Sequence, residues 1–228
     1  SGIAQSASKF AHDMRLLQSF EEMEEPFGSA QIGSSAMPYK RNPMLSERIC
    51  ALSRHVITNS LNPALTAAAQ WMERSLDDSA NKRLAIPEAF LAVDAILEIY
   101  RKISSGLVVN PLIIRRRLME KLPFMATENI LMRAAAQGGD RQELHERLRQ
   151  YSQQAAARIK NEGADNDLPA RIAADADFGL SRAEIDALLE PALYVGRAPE
   201  QVAEFLRDIA LPLLAQYGHL ELHGEVRV

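Results

Sequence analysis

Apolar positions recur at alternating three- and four-residue steps through much of the first hundred residues. Ile3, Ala7, Phe10, Met14 and Leu17 form one series. Leu45, Ile49, Leu52 and Val56 form a second, and Val93, Ile96, Tyr100, Ile103 and Leu107 a third. This spacing puts each set on one stripe of a helix. It predicts helices over residues 3–24, from about Pro43 onward, and over residues 79–107. Asn62-Pro63 should kink or break the second of these. Such narrow stripes suit a helical bundle. Periodicity does not decide whether they pack within one chain or between subunits.

Asn110-Pro111 reads as a boundary, beyond which the helices shorten. Helices are expected over 111–120 and 126–137, with Gly138-Gly139 ending the latter. Asp140 with Glu143 makes a capping-box pattern for a helix reaching about Asn161. Ser181 with Glu184 repeats that signal, and residues 199–217 form a last helix bent at Pro212. No strand alternation of useful length is present. The expected fold is all-α: a long-helix bundle over 1–109 and a smaller helical domain over 110–228.

Composition narrows the field. The 228 residues are 47% hydrophobic and 25% charged, ordinary for a soluble globular protein. The net charge of -4 argues against a nucleic-acid binder. The single cysteine, Cys50, excludes an internal disulfide and fits a reducing compartment, so a cytoplasmic location is expected. No apolar run reaches the ~18 residues of a membrane span. No signal peptide is visible, and with no initiator Met an upstream targeting segment stays open.

The chemistry gathers between the first two helices, in Gln31-Ile-Gly-Ser-Ser-Ala-Met-Pro-Tyr-Lys-Arg-Asn-Pro-Met44. Gly33, Pro38 and Pro43 make this a loop. It carries two hydroxyls (Ser34, Ser35), two cations (Lys40, Arg41) and a carboxamide (Asn42). That set suits a site where an anion is held and a proton moved. A second group is Arg74, Ser79 and Arg83. Ser79 is a plausible helix N-cap, with Arg83 one turn on along the same face. Hydroxyl, guanidinium and helix N-terminus together suit a phosphate. The plainer reading is a capped helix with surface charges. His12, His55, His145, His219 and His223 read as packing or surface residues, and their spacing gives no metal site.

The loop resembles the signature loop of the fumarase/aspartase superfamily. The continuation Met44-Leu-Ser-Glu-Arg48 and the later Trp71-Met-Glu-Arg-Ser-Leu-Asp-Asp-Ser79 resemble the adenylosuccinate lyase family within it. The resemblance runs along the whole chain but covers only the later part of that enzyme. It implies β-elimination of fumarate from adenylosuccinate, giving AMP, and from the succinyl-carboxamide ribotide of purine biosynthesis, with no cofactor. It implies that Ser34 is the general base, with Ser35 the alternative. Lys40 and Asn42 would hold the succinyl carboxylate, and Met37 would touch substrate. Glu47 would pair with the acid histidine, and Arg48 would bind substrate. Arg74, Ser79 and Arg83 would hold the 5′-phosphate.

The resemblance also implies a homotetramer whose active sites each draw on three subunits. The acid histidine of the family lies upstream of the matching segment, so residues 1–228 alone are expected to turn over little or no substrate. Two rival readings remain. Another lyase of the superfamily, such as argininosuccinate lyase, would not need the residues 71–79 motif. A non-catalytic helical assembly module would explain the stripes but not the loop.

Overall fold

The computed structural model describes residues 1–28, 37, 39–73 and 75–220. The described residues are almost entirely helical, and fall into two compact units that divide between Ile113 and Ile114.

The first unit holds α1 (Gly2–Ser19), α2 (Met44–Asn59), α3 (Leu61–Ala69) and α4 (Asp78–Ser105). α1 and α4 both pack along α2. Leu45, Ile49 and Val56 of α2 meet Ile96, Ile99 and Ile103 of α4 in one buried cluster. Each such side chain contributes about 1.5–3 kcal/mol on burial. The stripe of α1 keeps Ala7 and Met14 of the expected series but has Ala4, Ala11 and Gln18 in place of Ile3, Phe10 and Leu17. Ala4, Ala7, Ala11 and Met14 are buried, whereas Ile3 is 54% exposed and Phe10 only half-buried. Small alanines let helices approach closely, and the bulkier Phe10 moves to the flank, where it stacks on Tyr100 at 4.2 Å.

The α2 helix ends at Asn59, and Ser60 alone separates it from α3. Pro63 falls in the first turn of α3, where its missing N–H costs nothing. α4 starts at Asp78 with Asp77 flanking it. Ser79 is therefore inside the first turn and is not the N-cap that its sequence context suggests. Two short strands absent from the sequence reading, β1 (Met23–Glu24) and β2 (Val108–Val109), pair antiparallel with Met23 opposite Val109. They tie the end of α1 to the end of α4. Asn110 adds to the tie through its side-chain amide, which donates to the Glu21 carbonyl at 2.8 Å and to Glu24 Oε1 at 3.2 Å. Gly106 is required here, because a Cβ would meet the Pro26 ring at 2.7 Å.

The second unit carries most of α5 (Pro111–Met125), then α6 (Thr127–Ala136), α7 (Arg141–Glu162), α8 (Leu168–Ala174), α9 (Arg182–Leu188), α10 (Ala198–Phe205) and α11 (Leu211–Tyr217). α5 continues past residue 120 and through Pro123, because Leu122 and Pro123 are buried in the core and packing outweighs the lost hydrogen bond. Phe178, Ile130, Leu144, Ile172 and Ile185 share that core. Caps fix the element ends. Asp140 accepts from the Gln142 and Glu143 amides. Ser181 and Glu184 form a complete capping box, and Gly163 ends α7 in the left-handed conformation (φ 64°).

Asp175 ties α7 to the segment after α8. It accepts from Tyr151 at 2.8 Å, from Arg147 at 3.1 Å and from the Asp177 amide at 3.0 Å. Burial pushes its pKa up, but the Asp177 amide, Tyr151 and Arg147 together outweigh burial and hold it below the ordinary value. Between α10 and α11 the helix widens over Leu206–Ala210, just before Pro212, whose missing N–H breaks the regular ladder.

Candidate functional site

The start of α2 organises the candidate site. The first four amides of a helix have no carbonyl one turn back. Here the N-cap is Pro43, which has no N–H, the next three amides are satisfied, and Glu47 opens the regular ladder. Met44 N–H donates to the Asn42 carbonyl and Glu47 N–H to the Pro43 carbonyl, both at 2.9 Å. Leu45 and Ser46 N–H donate to the two carboxylate oxygens of Glu25, at 2.8 and 2.9 Å. The Ser46 hydroxyl adds a third bond to Glu25, at 3.0 Å. Glu25 is 1% exposed. A buried carboxylate needs such partners, and the helix N-terminus adds a favourable dipole.

Glu25 reaches this place through Gln18. Its own amide donates to Gln18 Oε1 at 3.2 Å, while Gln18 Nε2 donates to the Arg41 carbonyl at 3.1 Å. Residue 25, before the loop, is thereby fastened to Arg41 near the loop's end and to Leu45 and Ser46 just after it. Sequence reading passed over Glu25, which lies in the acidic run Glu21, Glu22, Glu24, Glu25 and looks like a solvated charge.

Beside this junction lies a groove of about 740 Å³. Lys40, Asn42 and Glu47 line it, together with Arg15, Glu24 and Arg41. Its charges differ in what they can do. Arg41 is committed: it pairs with Glu24 at 3.0 Å and lies 5.4 Å above the Phe27 ring. Lys40 is exposed and has no carboxylate partner among the described residues. Arg15 contacts Cys50 Sγ at 3.7 Å and likewise has no carboxylate partner among them. Two uncommitted cations beside an amide suit a carboxylate ligand. Arg15 is a second groove residue that sequence reading did not single out, since it reads as an exposed helix position.

The other expected residues are distributed as follows. Ser34, Ser35 and Arg74 lie outside the described residues. Met37 is held by the Tyr39 hydroxyl, 3.9 Å from its sulfur. Arg48 is exposed and does not line the groove, being turned about 100° from Glu47 around α2. Ser79 and Arg83 are brought together, with the Arg83 guanidinium donating to the Ser79 hydroxyl and carbonyl. They lie at the far end of α2, however. Asn59, its last residue, donates to the Ala85 carbonyl at 2.7 Å, and Asn81 donates to Asn62 at 2.7 Å. The sixteen residues of α2, about 22 Å long, lie between the groove and the Ser79–Arg83 pair.

Among the described residues no histidine lines the groove. His12 contacts the Ser8 carbonyl at 2.7 Å and Cys50 at 3.6 Å, and His55 lies 3.5 Å from Glu88. Among the described residues no cluster of His, Cys, Asp or Glu could hold a metal ion, and no helix is long and apolar enough to cross a membrane.

Comparison with known proteins gives this arrangement its class. Residues 1–58, which carry α1 and most of α2, match the family described as lyase. The fold agrees. A 3-carboxy-cis,cis-muconate lactonizing enzyme from Pseudomonas putida superposes with a TM-score of 0.73 at 29% identity, over 88% of this chain and 43% of that one. A fumarate lyase from Mesorhizobium sp. BNC1 shares the fold at a TM-score of 0.69 and 23% identity, over 90% of this chain and 44% of that one.

Within that class the relationship is specific. Residues 123–205 match the family described as adenylosuccinate lyase C-terminus. The adenylosuccinate lyase of Saccharomyces cerevisiae is 52% identical over 91% of this chain and 43% of the relative, and that of Schizosaccharomyces pombe 47% identical over 93% and 44%. The chain belongs to the adenylosuccinate lyase family and corresponds to the later part of those proteins. It spans a little under half the length of the relatives it matches.

Proposed function

We propose that the protein carrying these residues eliminates fumarate from adenylosuccinate, leaving AMP, and from the related succinyl-carboxamide ribotide of purine biosynthesis. The observation that carries this reading is the groove at the start of α2, where Lys40 and Asn42 flank space for a carboxylate and Lys40 has no carboxylate partner among the described residues. In the proposed reaction Ser34 removes a proton from the succinyl carbon. Charge builds on the neighbouring carboxylate, where Lys40 and Asn42 stabilise it. Ser35, Met37 and Arg48 contact substrate, and Glu47 orients the acid histidine. That histidine comes from chain outside residues 1–228 and protonates the leaving nitrogen as the C–N bond breaks.

Arg74, Ser79 and Arg83 hold the 5′-phosphate. The length of α2, about 22 Å, lies between the groove and the Ser79–Arg83 pair and exceeds what one nucleotide-sized ligand bridges comfortably, so the two groups serve different sites of one assembly. A homotetramer satisfies this, with each site taking its loop from one chain and its phosphate seat from another. In this reading residues 1–109 belong to the central bundle and residues 110–228 form the C-terminal domain, in a cytoplasmic enzyme.

The test is fumarate release from adenylosuccinate by the complete protein. Ser34→Ala and Lys40→Met should each lower kcat/KM by at least about 100-fold. Arg83→Ala should mainly raise KM for the phosphorylated substrate. Equal turnover of substrate lacking the phosphate would overturn the assignment of Arg74, Ser79 and Arg83.

A further inference from the structure

We propose that Glu25 is a positioning residue for the carboxylate-binding loop, acting with Gln18 as a clamp that closes the two ends of residues 26–43. The proposal rests on the reading of Lys40 and Asn42 given above, and adds residues that this reading does not contain.

Three observations carry it. First, the Glu25 carboxylate is fully buried, and it accepts from the Leu45 and Ser46 amides and the Ser46 hydroxyl. A glutamine of the same shape fails there, because its NH₂ group would face an N–H donor. Second, Gln18 links the Glu25 amide to the Arg41 carbonyl, so one side chain fastens both ends of the loop. Third, the segment before the loop is held independently, by the Met23–Val109 pairing and by Pro26 against Gly106. The clamp thus transmits a fixed framework, α1 and the end of α4, to Lys40 and Asn42. Lys40 and Asn42 are the two chain neighbours of Arg41, whose carbonyl Gln18 holds, and only Pro43 and Met44 separate Asn42 from Leu45. A group that acts on developing charge loses its effect with small displacements.

The consequence differs from that of a general packing residue. Loosening the clamp should lower kcat while leaving the fold and initial substrate affinity nearly intact. The experiment compares the complete wild-type protein with Glu25→Gln, Glu25→Asp and Ser46→Ala. Kinetics are normalised to folded protein, and hydrogen exchange is read at the amides of residues 40–42, 45 and 46. Glu25→Gln should lower kcat by about 10- to 100-fold with KM changed less than about threefold. Exchange at Leu45 and Ser46 should rise at least about tenfold. Glu25→Asp, which keeps a carboxylate, should recover part of the loss. Ser46→Ala removes only one of the three bonds, and should give a smaller loss in the same direction if Glu25→Gln does not fold.

Faster exchange with unchanged kcat would overturn the positioning role and leave a structural cap. Unchanged exchange would overturn the clamp itself. Wild-type protein that releases no fumarate would instead refute the proposed function. The exchange readout would then still decide whether Glu25 holds the loop.

Discussion

The separation of Lys40 from the Ser79–Arg83 pair leads to a quantitative expectation. In the proposed reaction both groups are needed for turnover, yet the length of α2, about 22 Å, lies between them in one chain. At substrate concentrations well below the raised KM of Arg83→Ala, where that variant and Lys40→Met are each nearly inactive, the two should therefore rescue one another in a mixed assembly. In an equal, random mixture a site that takes its loop from one chain finds an intact lysine half of the time. It finds an intact Ser79–Arg83 pair on another chain half of the time, independently. About one quarter of the sites are then complete, and the mixture should show about 25% of wild-type activity. The assay is fumarate release after the two variants are unfolded together and reassembled, with each variant reassembled alone as the control. Activity that never exceeds that of the separate variants would mean that both groups serve one chain's own site, and the reasoning from distance would fail.

Other expectations concern stability. Phe178→Ala in the core of the second unit should cost about 3–5 kcal/mol, read as a shift of the denaturant midpoint. Ser181→Ala breaks the capping box of α9 and should cost about 1 kcal/mol in the same experiment. Asp167 is held below its ordinary pKa by Arg171 and Arg158, despite burial, and Asp175 by the contacts described above. Both are deprotonated more readily folded than unfolded. Their contribution should be complete above the ordinary carboxylate pKa of about 3.9, and be lost as the pH falls through the lower folded values. Asp175→Asn should accordingly flatten the loss of stability below about pH 4; a slope equal to wild type would refute this.

Local features of this fold were legible in the sequence, and those that depend on distant contacts were not. The Ser181–Glu184 cap and the Asp140 cap act within one helical turn, and the structure has both. The stripe of α1 was misjudged because side-chain size pointed to Ile3 and Phe10, whereas close approach to α2 favours Ala4 and Ala11. α5 runs through Pro123 because the core around Leu122 outweighs a local helix breaker. Glu25 shows the limit most clearly. Nothing near it in the chain distinguishes it from Glu22 or Glu24. Its role comes from amides twenty residues away.

The most direct test of the central claim is the rate of fumarate release from adenylosuccinate by the complete protein, measured for wild type beside Lys40→Met. The account predicts steady release by wild type and a fall of at least about 100-fold in the variant, with the fold retained. Equal rates for the two proteins, or no release by wild type, would contradict it.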